Sequence, residues 1–164
     1  MNKKTLEIIL EEYHSVSELQ EIEKSLVLLA KNAAENAYAP YSKFKVGCAV
    51  LLDNGSIITG NNQENMAYPS GLCAERVALF SAIALHPDKK IISLAVVSAS
   101  KELNKNDVFS PCGACRQVML EYEQKQNSPI IVLMQQADKK IIKFHSASIL
   151  LPFSFQISTL QKKG

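Results

Sequence analysis

Residues 72–98 read LCAERVALFSAIALHPDKKIISLAVVS. Leu72 to Leu85 reads as a helix, and His86-Pro87-Asp88 closes it, because the residue before a proline is disfavoured in the helical region. Ile91 to Ser98 is an apolar, β-branched run of the kind buried in the middle of a sheet. A helix feeding a buried strand is the repeating element of an α/β architecture.

The neighbouring segments extend that pattern. Upstream, Phe44 to Leu52 reads as a buried strand and Ser56 to Gly60 as its partner, with Asp53-Asn54-Gly55 between them as a hairpin signal. Residues 61–71 are polar and punctuated by Pro69 and Gly71, so they read as a loop. Before the hairpin, Leu19, Ile22, Leu26, Leu29, Ala33 and Ala37 share one face of a helix that Ser17 and Gln20 open as a capping box and Pro40 ends. Leu6, Ile9, Leu10 and Tyr13 predict a short helix over residues 5–13, so residues 1–20 are expected to form an N-terminal helical extension of a single domain spanning 1–164. Downstream come a loop over 100–111, a helix from Gly113 to about Gln126, strands at Ile130–Met134 and Lys140–Phe144, and a short helix after Ser146 that Pro152 ends. The expected fold is α/β, a single mixed sheet of about five strands with helices on both faces.

Composition narrows the function. The chain has 164 residues, 47% hydrophobic and 21% charged, which is ordinary for a globular domain. A net charge of +2 implies no polyanionic partner, and the paired lysines at 3–4, 89–90, 139–140 and 162–163 read as solvated surface, so no nucleic acid is expected. No apolar run approaches the roughly 20 residues a bilayer requires. Glu7, Glu11 and Glu12 break the apolar residues near the start, so they make no signal-peptide core. The expected setting is cytoplasmic, away from membranes, where four reduced cysteines point to metal or catalysis before disulfides.

Cys112 and Cys115, three apart at a helix start, can aim two sulfurs at one ion, and Cys73, also at a helix start, is the obvious third ligand. Three protein ligands plus water is the catalytic pattern for zinc, whereas structural sites are closed by four. Cys48, inside Val46-Gly47-Cys48-Ala49-Val50, reads more plainly as a buried small residue than as a fourth ligand. Glu75 lies two positions from Cys73, so the two side chains diverge by roughly 200° on a helix. That suits Glu75 to carrying a proton for the water rather than to binding the ion. Three thiolates exceed the charge of Zn²⁺, and two helix N-termini, each acting as roughly half a positive charge, would offset the excess. Arg76 could add a full charge and hydrogen bonds to the sulfurs; the plainer alternative is a surface arginine in a helical ion pair.

Cys73-Ala74-Glu75 followed by Pro111-Cys112-Gly113-Ala114-Cys115 resembles the zinc signature of the nucleoside and nucleobase deaminases. A cysteine as first ligand resembles the small cytidine deaminases more than their nucleic-acid-editing relatives. Tyr38-Ala39-Pro40-Tyr41-Ser42-Lys43-Phe44, Gly60-Asn61-Asn62-Gln63-Glu64-Asn65 and Leu150-Leu151-Pro152-Phe153-Ser154-Phe155 are similar to further family segments in the same order. Lys45, Cys48 and Gln63 depart from the usual residues, and the segment before residue 20 exceeds the usual small member.

The resemblance implies a three-layer α/β/α fold, one Zn²⁺ per chain, and hydrolytic deamination of cytidine and 2′-deoxycytidine in pyrimidine salvage. It also implies a homotetramer with shared sites. Glu75 would be catalytic; Cys73, Cys112 and Cys115 would hold the metal. Asn62 and Glu64 would hold the ribose 3′-hydroxyl, Phe44 would pack on the pyrimidine or sugar, and the Ala74 N–H would meet the base carbonyl. Tyr68 and Phe155 would reach in from neighbouring subunits, with core packing as their alternative. The rival functions are deamination of another amino-pyrimidine nucleoside or related heterocycle, and a structural-zinc binding module, which would need a fourth protein ligand.

Overall fold

A computed structural model describes residues 1–100, 103–104 and 107–155. Six strands form one mixed sheet: β1 (Glu11–Tyr13), β2 (Val46–Leu52), β3 (Ile57–Asn61), β4 (Ile91–Ser98), β5 (Ile131–Gln135) and β6 (Ile141–Phe144), in the order β1-β6-β5-β4-β2-β3. Among these strands β4 and β5 pair in parallel, with Leu94 opposite Val132 and Val96 opposite Met134; the other strand pairs are antiparallel. The helices are α1 (Glu21–Glu35), α2 (Ala74–Leu85) and α3 (Gly113–Gln126).

Strand alternation sends side chains to two separate cores. Cys48, Val50, Leu94 and Val96 face α2 and α3, where they meet Ala78, Leu79 and Met119. Ala49, Ala95, Val97 and Leu133 face the other way, onto Leu26, Val27 and Ala30 of α1. The expected single mixed sheet with helices on both faces is therefore observed. Its sixth strand comes from the N-terminal segment.

Two glycines set how closely helices approach the sheet. A Cβ on Gly60 of β3 would lie 2.5 Å from the Ala78 nitrogen of α2, so only glycine lets α2 lie this low over the sheet. A Cβ on Gly47 of β2 would overlap the α1 backbone at Ala30 and Ala34. That contact explains a correction on α1. The stripe through Ile22 and Leu29 faces outward, and Leu26, Val27, Ala30 and Ala34 face the sheet, because close approach selects the small side chains. The helix opens with Gln20 as N-cap and Glu23 closing the capping box, one turn beyond the expected Ser17–Gln20 pair. It ends at Glu35, short of Pro40.

The helix expected over 5–13 is not formed. Residues 1–10 carry neither helix nor strand, Glu11–Tyr13 forms β1, and a single 3-10 turn follows at Val16–Glu18. A nine-residue helix lies below the roughly 12 residues at which an isolated helix becomes marginal. Pairing on β6 offers more: Glu11 lies opposite Lys143 and Tyr13 opposite Ile141. Glu11 accepts from His145 Nε2 at 2.8 Å and lies 3.5 Å from Lys143 Nζ, which in turn pairs with buried Glu23 of α1 at 2.9 Å. The short helix expected after Ser146 is a 3-10 turn, Ala147–Leu150. The described part of the 100–111 loop contains no helix or strand.

Candidate active site

Two helix starts meet at one point. Cys73 is the N-cap of α2 and Cys112 the N-cap of α3; both have extended backbone (ψ 154° and 164°), and neither side chain makes a capping hydrogen bond to its helix. Their sulfurs are thus not spent on capping. Cys115, one turn into α3, is buried and lies 3.5 Å from Cys112, and Cys73 lies 3.8 Å from Cys112, sulfur to sulfur. All three sulfurs fall within 4.8 Å of one another, close enough to hold one ion, and no other ligand-type side chain joins them among the described residues.

The electrostatics fit a cation-binding trio. Both helix N-termini face the sulfurs with their partial positive charge. A hydrogen bond from Cys115 holds the Cys73 thiol down to about 5, with Arg76 and Cys112 assisting against burial. The Cys115 thiol, as donor in that pair, is pushed up. Arg76 Nη2 donates to Cys73 Sγ at 3.8 Å, and its Nε is buried with no hydrogen-bond partner. A guanidinium with a donor to spare beside three sulfurs fits a site whose thiolates bind metal with surplus negative charge. Arg76 is therefore beside the trio and not in a surface ion pair. Cys48 is fully buried in β2, where burial above all pushes its thiol up, and it stands outside the trio.

Glu75 is 4% exposed and occupies the first turn of α2. Burial pushes its carboxyl up to about 7 and Cys73 adds to this, while its own backbone N–H opposes. It lines a cavity of about 310 Å³ together with Phe44, Ala74, Phe109 and Ser110. A second cavity of about 570 Å³, bordered by Tyr41, Tyr68, Leu72 and Arg76, shares Ser42, Asn62, Glu64 and Cys73 with the first, so the two adjoin. Of the two, only the smaller contains Glu75.

These are the features of a metal-assisted deaminase. Residues 20–129 match the cytidine and deoxycytidylate deaminase zinc-binding region. The chain belongs to this deaminase family. It is 46% identical over 96 residues to a cytidine deaminase of Halalkalibacterium halodurans, covering 58% of this chain and 68% of that protein. It is 45% identical over 102 residues to one of Sporosarcina psychrophila, covering 62% and 70%. The crystal structure of cytidine deaminase from Burkholderia pseudomallei superposes with a TM-score of 0.68 at 38% identity, over 84% of this chain and all of that one. The cysteine trio is able to hold the zinc ion after which the family region is named.

The other expected deaminase residues are placed as follows. Asn62 borders both cavities, and its amide also fastens the start of β2, accepting from Val46 N–H at 2.8 Å and donating to the Phe44 carbonyl at 2.9 Å. Glu64 accepts from the Ser42 hydroxyl and from Tyr41 N–H at 2.9 Å; the Ser42 bond is the main reason its carboxyl is held below the usual range. Tyr68 is 77% exposed on the 3-10 turn Tyr68–Ser70, edge-on to Tyr41 at 6.3 Å. Phe155 is 71% exposed and borders neither cavity. Neither aromatic packs in the core.

Three residues at the site were not singled out from the sequence. Ser42 fixes Glu64. Phe109 faces Phe44, and an apolar Val108-Phe109 pair inside a polar loop was its available signal. Arg116, one turn beyond Cys112, braces the cysteine turn through Pro111 O at 2.8 Å, Ser110 Oγ at 2.8 Å and Leu150 O at 3.1 Å.

Proposed function

We propose that this chain catalyses the hydrolytic deamination of cytidine and 2′-deoxycytidine to uridine and 2′-deoxyuridine, releasing ammonia. One observation carries the reading above the rest: a buried carboxyl with its pKa near 7 stands in the first turn of the helix that Cys73 caps, facing a cavity beside the three sulfurs. When bound by Cys73, Cys112 and Cys115, zinc supplies the Lewis acidity that activates water. Glu75, titrating near neutrality, takes the proton that the attacking water gives up and delivers it to N3 of the ring. It next takes the second proton from the hydroxyl that the water has become at C4 and hands it to the departing amine as the C4–N bond breaks, so the carboxyl ends the cycle as it began.

The remaining residues hold the substrate. The Ala74 N–H, in the first turn of α2 and therefore without a helical acceptor, donates to the base carbonyl. Phe44 packs against the base. Asn62 and Glu64 hold the ribose 3′-hydroxyl: each keeps hydrogen-bonding capacity beyond the backbone and Ser42 contacts it already makes, since an amide NH₂ donates twice and each carboxylate oxygen accepts twice. Arg76 balances the thiolate charge. Tyr68 and Phe155 lie exposed and serve neighbouring sites in a homotetramer; Phe153 is likewise 91% exposed. No described helix is long and apolar enough to cross a membrane, and we place the protein in the cytoplasm, in pyrimidine salvage.

The test is the loss of the cytidine absorbance band on incubation with purified protein. Turnover that a zinc chelator abolishes is the expected result. No loss of cytidine or deoxycytidine by zinc-loaded protein would overturn the reading.

A further inference from the structure

Phe109 supplies the second aromatic side of the cavity that contains Glu75. It is 7% exposed, and its ring centroid lies 6.2 Å from that of Phe44 with the planes at 47°. At that spacing the rings touch each other, so no base fits between them; they form one continuous corner. Such a corner favours a flat, polarisable ring and offers a sugar no hydrogen bond.

The backbone of Phe109 is gripped from β5. Gln136 Oε1 accepts from Phe109 N–H at 3.0 Å, and Gln136 Nε2 donates to the Phe109 carbonyl at 2.9 Å. Gln136 is itself fixed where the chain leaves β5, donating its N–H to Lys140 O at 2.8 Å and accepting from Lys139 N–H at 3.0 Å. A residue held at both its peptide groups by one amide cannot slide or turn without breaking both bonds. The next two residues have a different anchor, Arg116, which bonds Ser110 and Pro111 on the approach to Cys112. Gln136 therefore fixes the wall, and Arg116 fixes the turn that carries the metal ligands.

We propose that Phe109 is a specificity-determining contact for the pyrimidine, completing with Phe44 an apolar corner for the base, and that Gln136 is the positioning residue that aims it. This rests on the reading of the cavity as a pyrimidine nucleoside site. Gln136 acts through Phe109, so removing both should cost no more than removing Phe109 alone.

The experiment measures uridine binding by titration calorimetry, cytidine turnover and zinc content, on wild type, Phe109→Ala, Phe109→Leu, Gln136→Ala, Gln136→Glu and the double alanine variant. Phe109→Ala should weaken uridine and raise KM about tenfold, with kcat changed less than about threefold. Phe109→Leu fills most of the same space without an aromatic face, guards against a loss of folding, and should weaken uridine about threefold. Gln136→Ala should also weaken it about threefold, and Gln136→Glu should match, because a carboxylate accepts but cannot donate to the Phe109 carbonyl. The double variant should equal Phe109→Ala, and zinc should stay at one per chain throughout. Unchanged uridine affinity in both Phe109 variants overturns the contact. Loss of zinc in Gln136→Ala, or losses that multiply in the double variant, overturns the positioning role. Wild type that neither binds uridine nor consumes cytidine overturns the functional reading along with this one; active wild type with unaltered variants overturns this one alone.

Discussion

Glu75, buried in the first turn of α2, and Glu11, on the outer edge of the sheet, are the same functional group in opposite surroundings. Burial raises the Glu75 carboxyl to about 7. At the edge, the Tyr13 hydroxyl foremost and then His145 hold the Glu11 carboxyl down to about 2, with Lys143 adding to the effect. Withheld compensation leaves a group ready to exchange a proton near neutral pH, at a cost in stability. Generous compensation gives a permanent anion that ties two strands together and does no chemistry. A carboxyl poised near neutrality and a carboxylate that fastens a strand thus lie at different ends of one sheet; if Glu75 does the proton work proposed for it, substitutions at the two ends should separate activity from stability.

The largest effect is expected at the metal. Cys73→Ala removes one of three sulfurs, so zinc content by elemental analysis should fall well below one per chain and turnover should drop to background. Retention of stoichiometric zinc would contradict the ligand set. Glu75→Gln comes next and gives the sharper contrast. Turnover should fall by roughly 10³-fold, within the usual range for general acid–base groups, while zinc stays bound.

Stability should move the other way in that variant. The folded pKa of Glu75 lies above the ordinary 4.5, so the folded metal-free protein holds the proton more tightly than the unfolded chain does. It therefore loses stability as pH rises from about 4.5 through about 7. Glutamine removes that loss, and metal-free Glu75→Gln should exceed metal-free wild type by about 2 kcal/mol at pH 8, with the gain gone at pH 4. Denaturant melts at the two pH values check it; an equal gain at both would mean that burial of the charge is not the cause.

What the sequence made legible follows the same division. The helix expected from Leu72 to Leu85 is observed over Ala74–Leu85, and Ile91–Ser98 and Gly113–Gln126 are observed as expected. In each, local signals and tertiary demands agree, and Cys73 and Cys112 stand directly before the two helices. The edge was illegible because its structure comes from distant partners: Glu11 is held by His145 and Lys143, and a helical spacing over residues 5–13 carries no trace of them. The α1 face was misread because Gly47, outside the helix, decides which side can approach the sheet. Gln136 and Phe109 lie far apart in the chain, and neither residue type announces the other.

At the edge, the buried pair is the stronger lever. Lys143 and Glu23 are both nearly buried and 2.9 Å apart. Lys143→Met leaves a carboxylate in the core without its cation and should destabilise by about 3 kcal/mol, the range for a broken buried pair. Adding Glu23→Leu should recover most of that loss. Through both changes kcat/KM for cytidine should stay within about twofold of wild type, since neither residue borders the cavities. A tenfold fall in kcat/KM, with the protein still folded, would show that the edge and the site are coupled.

The smallest effect belongs to Glu11, and its pH dependence opposes that of Glu75. Its folded pKa lies below the ordinary value, so the stability it contributes is present above about 4.5 and is lost as pH falls toward about 2. Its side chain is 43% exposed, so solvent screens the contribution, and Glu11→Gln should cost less than about 1 kcal/mol at pH 7. That difference should be mostly gone by pH 2, where about half of the wild-type carboxyl is protonated. Hydrogen exchange at the amides of residues 11–13 would register the change before global melting does, because a three-residue strand opens locally. Faster exchange in Glu11→Gln at pH 7, with residues 91–98 unaffected, would assign the charge cluster to holding β1 on β6. Equal exchange in the two proteins would leave the backbone ladder alone holding it.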